Sequence, residues 1–172
     1  MSAGGAVAKP PETAAFLRTV PLFRAFGECE LADIAARLRE RTLRRGQVLF
    51  REGDPGAEMF VVRAGTFVVS KAVTGRVEQI LARVGPGDFL GEMSLVDRAP
   101  RSATVQAETD ATVLVLDGES LSALIEFNPR AAAAFFQALV RAFVARLRES
   151  GNLVAEVTRW GLEATGLDLE AR

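Results

Sequence analysis

Between Gln47 and Asp117 the chain is punctuated too densely for long helices. The run QVLFREGDPGAEMFVVRAGTFVVSK carries two strands' worth of Val, Phe and Leu, broken by Gly53, Asp54, Pro55 and Gly56 and again by Gly65. Glycine tolerates positive φ and proline pre-sets a turn, so each cluster marks a tight reversal. RVEQILARV reads as a further strand closed by GPGD, and SATVQAE and ATVLVLD supply two more. Short strands with turns this dense predict a β-sandwich or roll, with about eight strands between Gly46 and Asp117.

Helical spacing flanks this region on both sides. Thr13 to Arg41 reads as helical, and ELADIAARLRER puts Leu31, Ile34, Ala35 and Leu38 on one face. From Asp117 the helical period returns. DGESLSALIEF starts at Asp117 as N-cap, with Ser120 as a second choice. In NPRAAAAFFQALVRAFVARLRES, Asn128 caps, Pro129 takes the first helical position and the helix runs toward Gly151. Its apolar stripe is Phe136, Leu139, Val140, Phe143, Val144 and Leu147. The expected class is therefore α+β: an antiparallel β-roll, double-stranded and jelly-roll-like, with N-terminal helices and a long C-terminal helix. The expected organisation is a flexible arm over 1–12, one domain over 13–150 and a short amphipathic tail over 151–172.

Composition narrows the function classes. The chain is 49% hydrophobic and 25% charged, so it folds around a core rather than staying disordered. A net charge of −1 lacks the basic excess of a nucleic-acid binder. The sequence contains no histidine, which most metal sites, nucleophile triads and general-base designs use. Its one cysteine, Cys29, forms no internal disulfide and fits a cytoplasmic location. No apolar run approaches the roughly 20 residues of a membrane span. These features argue against an enzyme, a metal centre and a membrane protein. Cys29 reads as inert, and Trp160 as packing.

One stretch does not fit a plain strand region: GEMSLVDRAPRSATV, from Gly91 to Val105. Gly91 lets another molecule approach its backbone closely. GEMSL is long enough for one helical turn with free N–H groups at its start, which attract an anion. Pro100 fixes the chain before Arg101, whose guanidinium is a permanently charged fork for a phosphate. Ser102 adds a hydroxyl and an N–H, and Glu92 is an acceptor suited to a ribose hydroxyl. Taken alone, Arg101 reads more readily as a surface arginine paired with Asp97 or Glu92, and Glu92 also reads as a helix-start carboxylate.

The stretch resembles the phosphate-binding cassette of the cyclic-nucleotide-binding domain family, the module of catabolite activators and of the regulatory subunits of cAMP-dependent kinase. Gly91-Glu92, the turn Met93-Ser94-Leu95, and Pro100-Arg101-Ser102-Ala103-Thr104 carry the likeness, with Gly46, the Glu52–Asp54 segment and Gly65 in matching order. It covers about Leu22 to Ser150. The resemblance implies that Arg101 holds the exocyclic phosphate with the N–H groups of Ser102 and Ala103. It implies that Glu92 and Gly91 take the ribose 2′-hydroxyl, with Met93 and Ser94 in the same turn. Val69, Leu81, Ala82, Val84 and Leu90 would line the pocket, and the helix after Pro129 would move and cap the base. Phe143, Arg146 and Leu147 are candidates for that cap, although the family's polar cap residues are missing here. Ser102 fits either nucleotide, and cAMP is preferred to cGMP.

The implied protein is a stand-alone, cytoplasmic regulatory module with no cofactor and no specific DNA binding. It would act on a separate, unidentified protein partner and form a homodimer through the long C-terminal helix. A scaffold that kept the fold and lost the ligand is the alternative, against which the buried cost of Glu92 and Arg101 weighs. An empty pocket would leave Arg101 solvated.

Overall fold

Turn chemistry and alternation produce two antiparallel sheets. The computed structural model describes residues 6–7, 9–74 and 77–164. The strands are β1 (Ala6–Val7), β2 (Arg39–Leu43), β3 (Val48–Phe50), β4 (Glu58–Ala64), β5 (Phe67–Thr74), β6 (Val77–Val84), β7 (Phe89–Leu90), β8 (Thr104–Ala107) and β9 (Ala111–Asp117). One sheet has the order β1-β2-β9-β4-β7 and the other β3-β8-β5-β6. The α-helices are α1 (Pro10–Thr19), α2 (Glu28–Arg37), α3 (Glu92–Asp97), α4 (Gly118–Phe127) and α5 (Pro129–Ala164). This is the expected β-roll with flanking helices. The chain divides into two compact units, Met1–Phe135 and Phe136–Arg172.

The inward faces of the two sheets make the roll's core. Phe60, Val62, Phe67, Val105, Val113 and Val115 belong to one buried cluster with Leu43, Leu49, Val84 and Leu90. Along β4 and β9 the intervening residues Met59, Val61, Leu114 and Leu116 are also buried, at 0% exposure. A strand buried on both faces requires a second layer. The helices supply it: α4 contacts β9 and α2, and α2 contacts α1. Phe23, a fully buried ring, meets Phe26 edge-on at 5.5 Å and Phe135 at 6.1 Å.

Three boundaries differ from expectation. The first helix starts at Pro10, with proline at the position that spares its missing N–H, and Ala6 and Val7 pair with Glu40 and Arg39. The expected arm is thus partly ordered structure; residues 1–5 and 8 lie outside the described residues. The expected helix to Arg41 stops at Arg37, because Leu38 turns extended and Arg39–Leu43 pairs fully with β9. Pairing with a neighbouring strand overrides helical propensity here. The long helix does not stop at Gly151 but runs to Ala164. Glycine inside a helix costs only about 1 kcal/mol and breaks nothing by itself. The last part of the expected tail, 165–172, lies outside the described residues.

The helix starts behave as expected. Asp117 accepts a hydrogen bond from the Ser120 N–H at 2.9 Å, and Asn128 accepts from the Ala131 N–H at 3.1 Å ahead of Pro129. Along α5, Val140, Val144 and Leu147 are exposed, as is Trp160 at 56%. Trp160 was expected to pack and is instead largely exposed.

Candidate functional site

The site is built where β7 ends. Gly91 has φ 74°, in the left-handed region that only glycine enters cheaply, and this reversal launches α3 as a single short helical stretch. Arg98 closes it, also left-handed at φ 56°. Pro100 and Arg101 then lead into β8. The reversal turns Glu92 and Ser94 inward, at 5% and 2% exposure, and leaves Met93 outside.

Arg101 is the centre of the arrangement, and it is not solvated. It is 4% exposed. Its Nη1 donates to the Glu58 carbonyl at 2.7 Å and to the Gly91 carbonyl at 2.9 Å. Its guanidinium lies 4.4 Å from the Phe50 ring centre and 5.4 Å from that of Phe60, two rings that stack on each other. Cation–π attraction on this scale contributes about 0.5–2 kcal/mol. Nε is buried and has no hydrogen-bond partner among the described residues. Burial pulls the pKa of Arg101 below its ordinary value, opposed by the charges of Glu58, Glu92 and Asp54. The open, solvated setting of a surface arginine is not what Arg101 has. Two carbonyls and an aromatic face replace it, so the side chain is sequestered by β3 and β4 rather than open to water.

This leaves a buried cation whose hydrogen bonds go to neutral groups. With Nη1 committed, Nε and Nη2 remain as the parallel donors of the fork. An anion at that edge would satisfy the orphaned donor and neutralise the charge. Ser102 follows on the exposed side, its hydroxyl donating to the Met93 sulfur at 3.7 Å. Ala103 is buried at 7%. The structure thus brings Gly91, Glu92, Met93, Arg101 and Ser102 to one end of the roll, with Ser94 and Ala103 packed beneath.

The expected lining residues share one region of the second sheet and its neighbour. Val69 pairs with Ala82 and with Val105, and Val84 with Phe67. Leu90 pairs with Phe60, whose ring faces Arg101. Val84 and Leu90 are buried, while Leu81 and Ala82 are open, Leu81 at a register shift in the β5–β6 ladder. Phe143, Arg146 and Leu147 belong to the second unit, where Phe143 is half-buried and the other two are exposed. A surface concavity beside Thr42, Arg44, Gln47 and Asp110 gathers none of these residues.

Sequence reasoning missed Phe50, Phe60, the Glu58 carbonyl and Gly56 as part of the site. The first two look like ordinary core residues in a strand pattern. A backbone carbonyl leaves no trace in sequence. Gly56 was read only as turn punctuation.

An antiparallel roll in which a glycine-led helical turn sits beside a buried arginine with an unpartnered donor is an arrangement suited to holding an anion. The cyclic nucleotide-binding domain family matches residues 40–128, just over half of the chain, and the protein belongs to that family. A cyclic nucleotide-gated potassium channel of Mesorhizobium japonicum is 41% identical over 116 residues, 67% of this chain but 31% of the channel. The match to the first three curated relatives spans 26–31% of their length. A cyclic nucleotide-binding domain from Methylobacillus flagellatus superposes with a TM-score of 0.78 at 28% identity, covering 91% of this chain and 88% of that one. The catabolite activator protein of Thermus thermophilus gives 0.71 at 30% identity, covering 80% and 63%. Among the described residues no helix is long and apolar enough to cross a membrane.

Proposed function

We propose that this chain is a regulatory module that binds cAMP in preference to cGMP and signals through movement of its C-terminal helices to a separate protein partner. The observation that carries this is Arg101: a buried guanidinium with an unpartnered Nε, held by carbonyls beside Gly91 and Glu92. Its fork takes the cyclic phosphate, aided by the N–H groups of Ser102 and Ala103. Glu92 and the Gly91 backbone take the ribose hydroxyl, over the turn of Met93 and Ser94. Val69, Leu81, Ala82, Val84 and Leu90 surround sugar and base. Phe143, Arg146 and Leu147 are the helix positions that would cap the base. The exposed apolar residues Val140, Val144 and Leu147 fit a homodimer formed through α5 in the cytoplasm. The orphaned Nε weighs against a scaffold that lost its ligand, since a domain relieved of binding gains by replacing such a group.

Calorimetric titration with cAMP, cGMP and the linear 5′-monophosphate tests the reading. Saturable binding of cAMP, tighter than cGMP and than the linear nucleotide, is expected, with changed hydrogen exchange along α5. No binding of either cyclic nucleotide at millimolar concentration would overturn it.

A further inference from the structure

Gly56 sits in the β3–β4 turn with no assigned role. That turn is fastened to the arginine's own backbone. The Arg101 N–H donates to the Asp54 carbonyl at 2.8 Å, and the Gly53 N–H donates to the Arg101 carbonyl at 2.8 Å. The turn is also tied within itself, the Arg51 N–H donating to the Asp54 carboxylate at 2.8 Å. Two residues beyond Asp54, at Gly56, the guanidinium occupies the place of the missing side chain. A Cβ at Gly56 would collide with Arg101 Nε and Cζ and stand 2.7 Å from Nη2.

The other glycines do not share this reason. Gly46, Gly53 and Gly87 have left-handed φ and open space around the missing Cβ. Gly91 meets Arg101 too, but its φ of 74° would strain any replacement by itself. Gly56 has no left-handed φ, so its backbone suits alanine and only the arginine forbids one. Nor does the guanidinium yield cheaply, because Nη1 is hooked to two carbonyls and its face rests near Phe50. A methyl at position 56 must either lift Arg101 off those carbonyls or push the turn away and admit water to Nε.

We propose that Gly56 is a positioning residue of the anion site: its bare backbone closes the β3–β4 turn over Arg101 and fixes the direction of the guanidinium donors. The inference rests on Arg101 being the ligand arginine. It predicts a specific dependence between two residues 45 positions apart in sequence.

The test is a thermal cycle on the full chain with Gly56→Ala, Arg101→Ala and the double variant, together with cAMP titration of the parent and Gly56→Ala. Gly56→Ala should lower the melting temperature by several degrees in the parent and hardly at all when Arg101 is alanine, because the obstacle is then gone. Its cAMP affinity should fall about tenfold or more, as misplaced binding groups do. A Gly56→Ala chain that folds only in the Arg101→Ala background supports the inference equally. The same loss of stability in both backgrounds, or parent-like cAMP affinity in Gly56→Ala, overturns it. A parent that binds no cAMP overturns the nucleotide reading and the ligand half of this inference, while the thermal cycle still reads the packing half.

Discussion

Two arginines that both bond Glu58 live in opposite surroundings. Arg39 sits at the roll's surface, half exposed, with Nη2 bonded to the Glu58 carboxylate and to the Asp117 carboxylate, each at 3.1 Å. Arg101 is buried and bonds the carbonyl of the same Glu58. The surface arginine has two anionic partners and needs none, so its pairs contribute little and are screened by salt. The buried one has lost its water; its hydrogen bonds go to two carbonyls, and the charges of Glu58, Glu92 and Asp54 offset its burial only in part. A cation kept in that condition is short of an anion, and the family's ligand carries one.

The largest effect expected is on affinity. Arg101→Ala removes the remaining fork, and charge-assisted hydrogen bonds of roughly 1.5–3 kcal/mol each put the loss at ~3–5 kcal/mol. That is roughly a hundredfold to several thousandfold in cAMP binding, read by calorimetry. The apo chain should also melt lower, since the carbonyls of Glu58 and Gly91 lose their partner. Arg101→Lys should restore only part, because an ammonium is a point charge. Glu92→Gln should cost less, about tenfold, because an amide oxygen still accepts from a ribose hydroxyl.

On the surface side the expected effects are small and act on stability alone. Burial raises the Asp117 pKa, but the Ser120 hydrogen bonds and the charge of Arg39 outweigh it and hold the carboxyl below its ordinary value. The unfolded chain then binds this proton more readily. Asp117 therefore stabilises the fold above its ordinary pKa, and that contribution disappears as pH falls through the lower folded value. Asp117→Ala should lose about 1 kcal/mol at neutral pH and no further stability on acidification at this site, followed by denaturant unfolding. Arg39→Ala should cost roughly 0.5–1 kcal/mol at low salt, less at high salt, with cAMP affinity unchanged.

The smallest effect provides a control for the orphaned donor. Thr13 Oγ1 is the other buried side-chain polar atom without a partner among the described residues, in α1. Thr13→Val replaces an unsatisfied hydroxyl with a methyl and should be neutral or slightly stabilising by thermal melt, with binding intact. The unpartnered atom in the helical layer should prove dispensable and the one in the roll should not.

The roll and its flanking helices were legible because they depend on local signals, turn residues and period, whereas the cassette over Gly91–Ala103 was visible through its likeness to a known family. The caps at Asp117 and Asn128 followed from side chains that bond their own helix starts. The strand Arg39–Leu43 was missed because RERTL has no strong strand signature and is held by β9, distant in sequence. The burial of Arg101 was missed for the same reason. Its depth comes from Phe50, Phe60 and the β3–β4 turn, which only the fold assembles around it. Gly151 misled because a glycine that ends a helix and one that is merely tolerated look alike in sequence.

The most direct measurement follows the Arg101 Nε–H itself, by nitrogen-detected or side-chain-selective NMR of the full chain during cAMP addition. A buried, slowly exchanging Nε–H resonance should be present in the free protein, vanish in Arg101→Ala and shift strongly with cAMP but not with adenosine, which lacks the phosphate. An Arg101 Nε–H signal that stays in place at saturating cAMP would contradict the account.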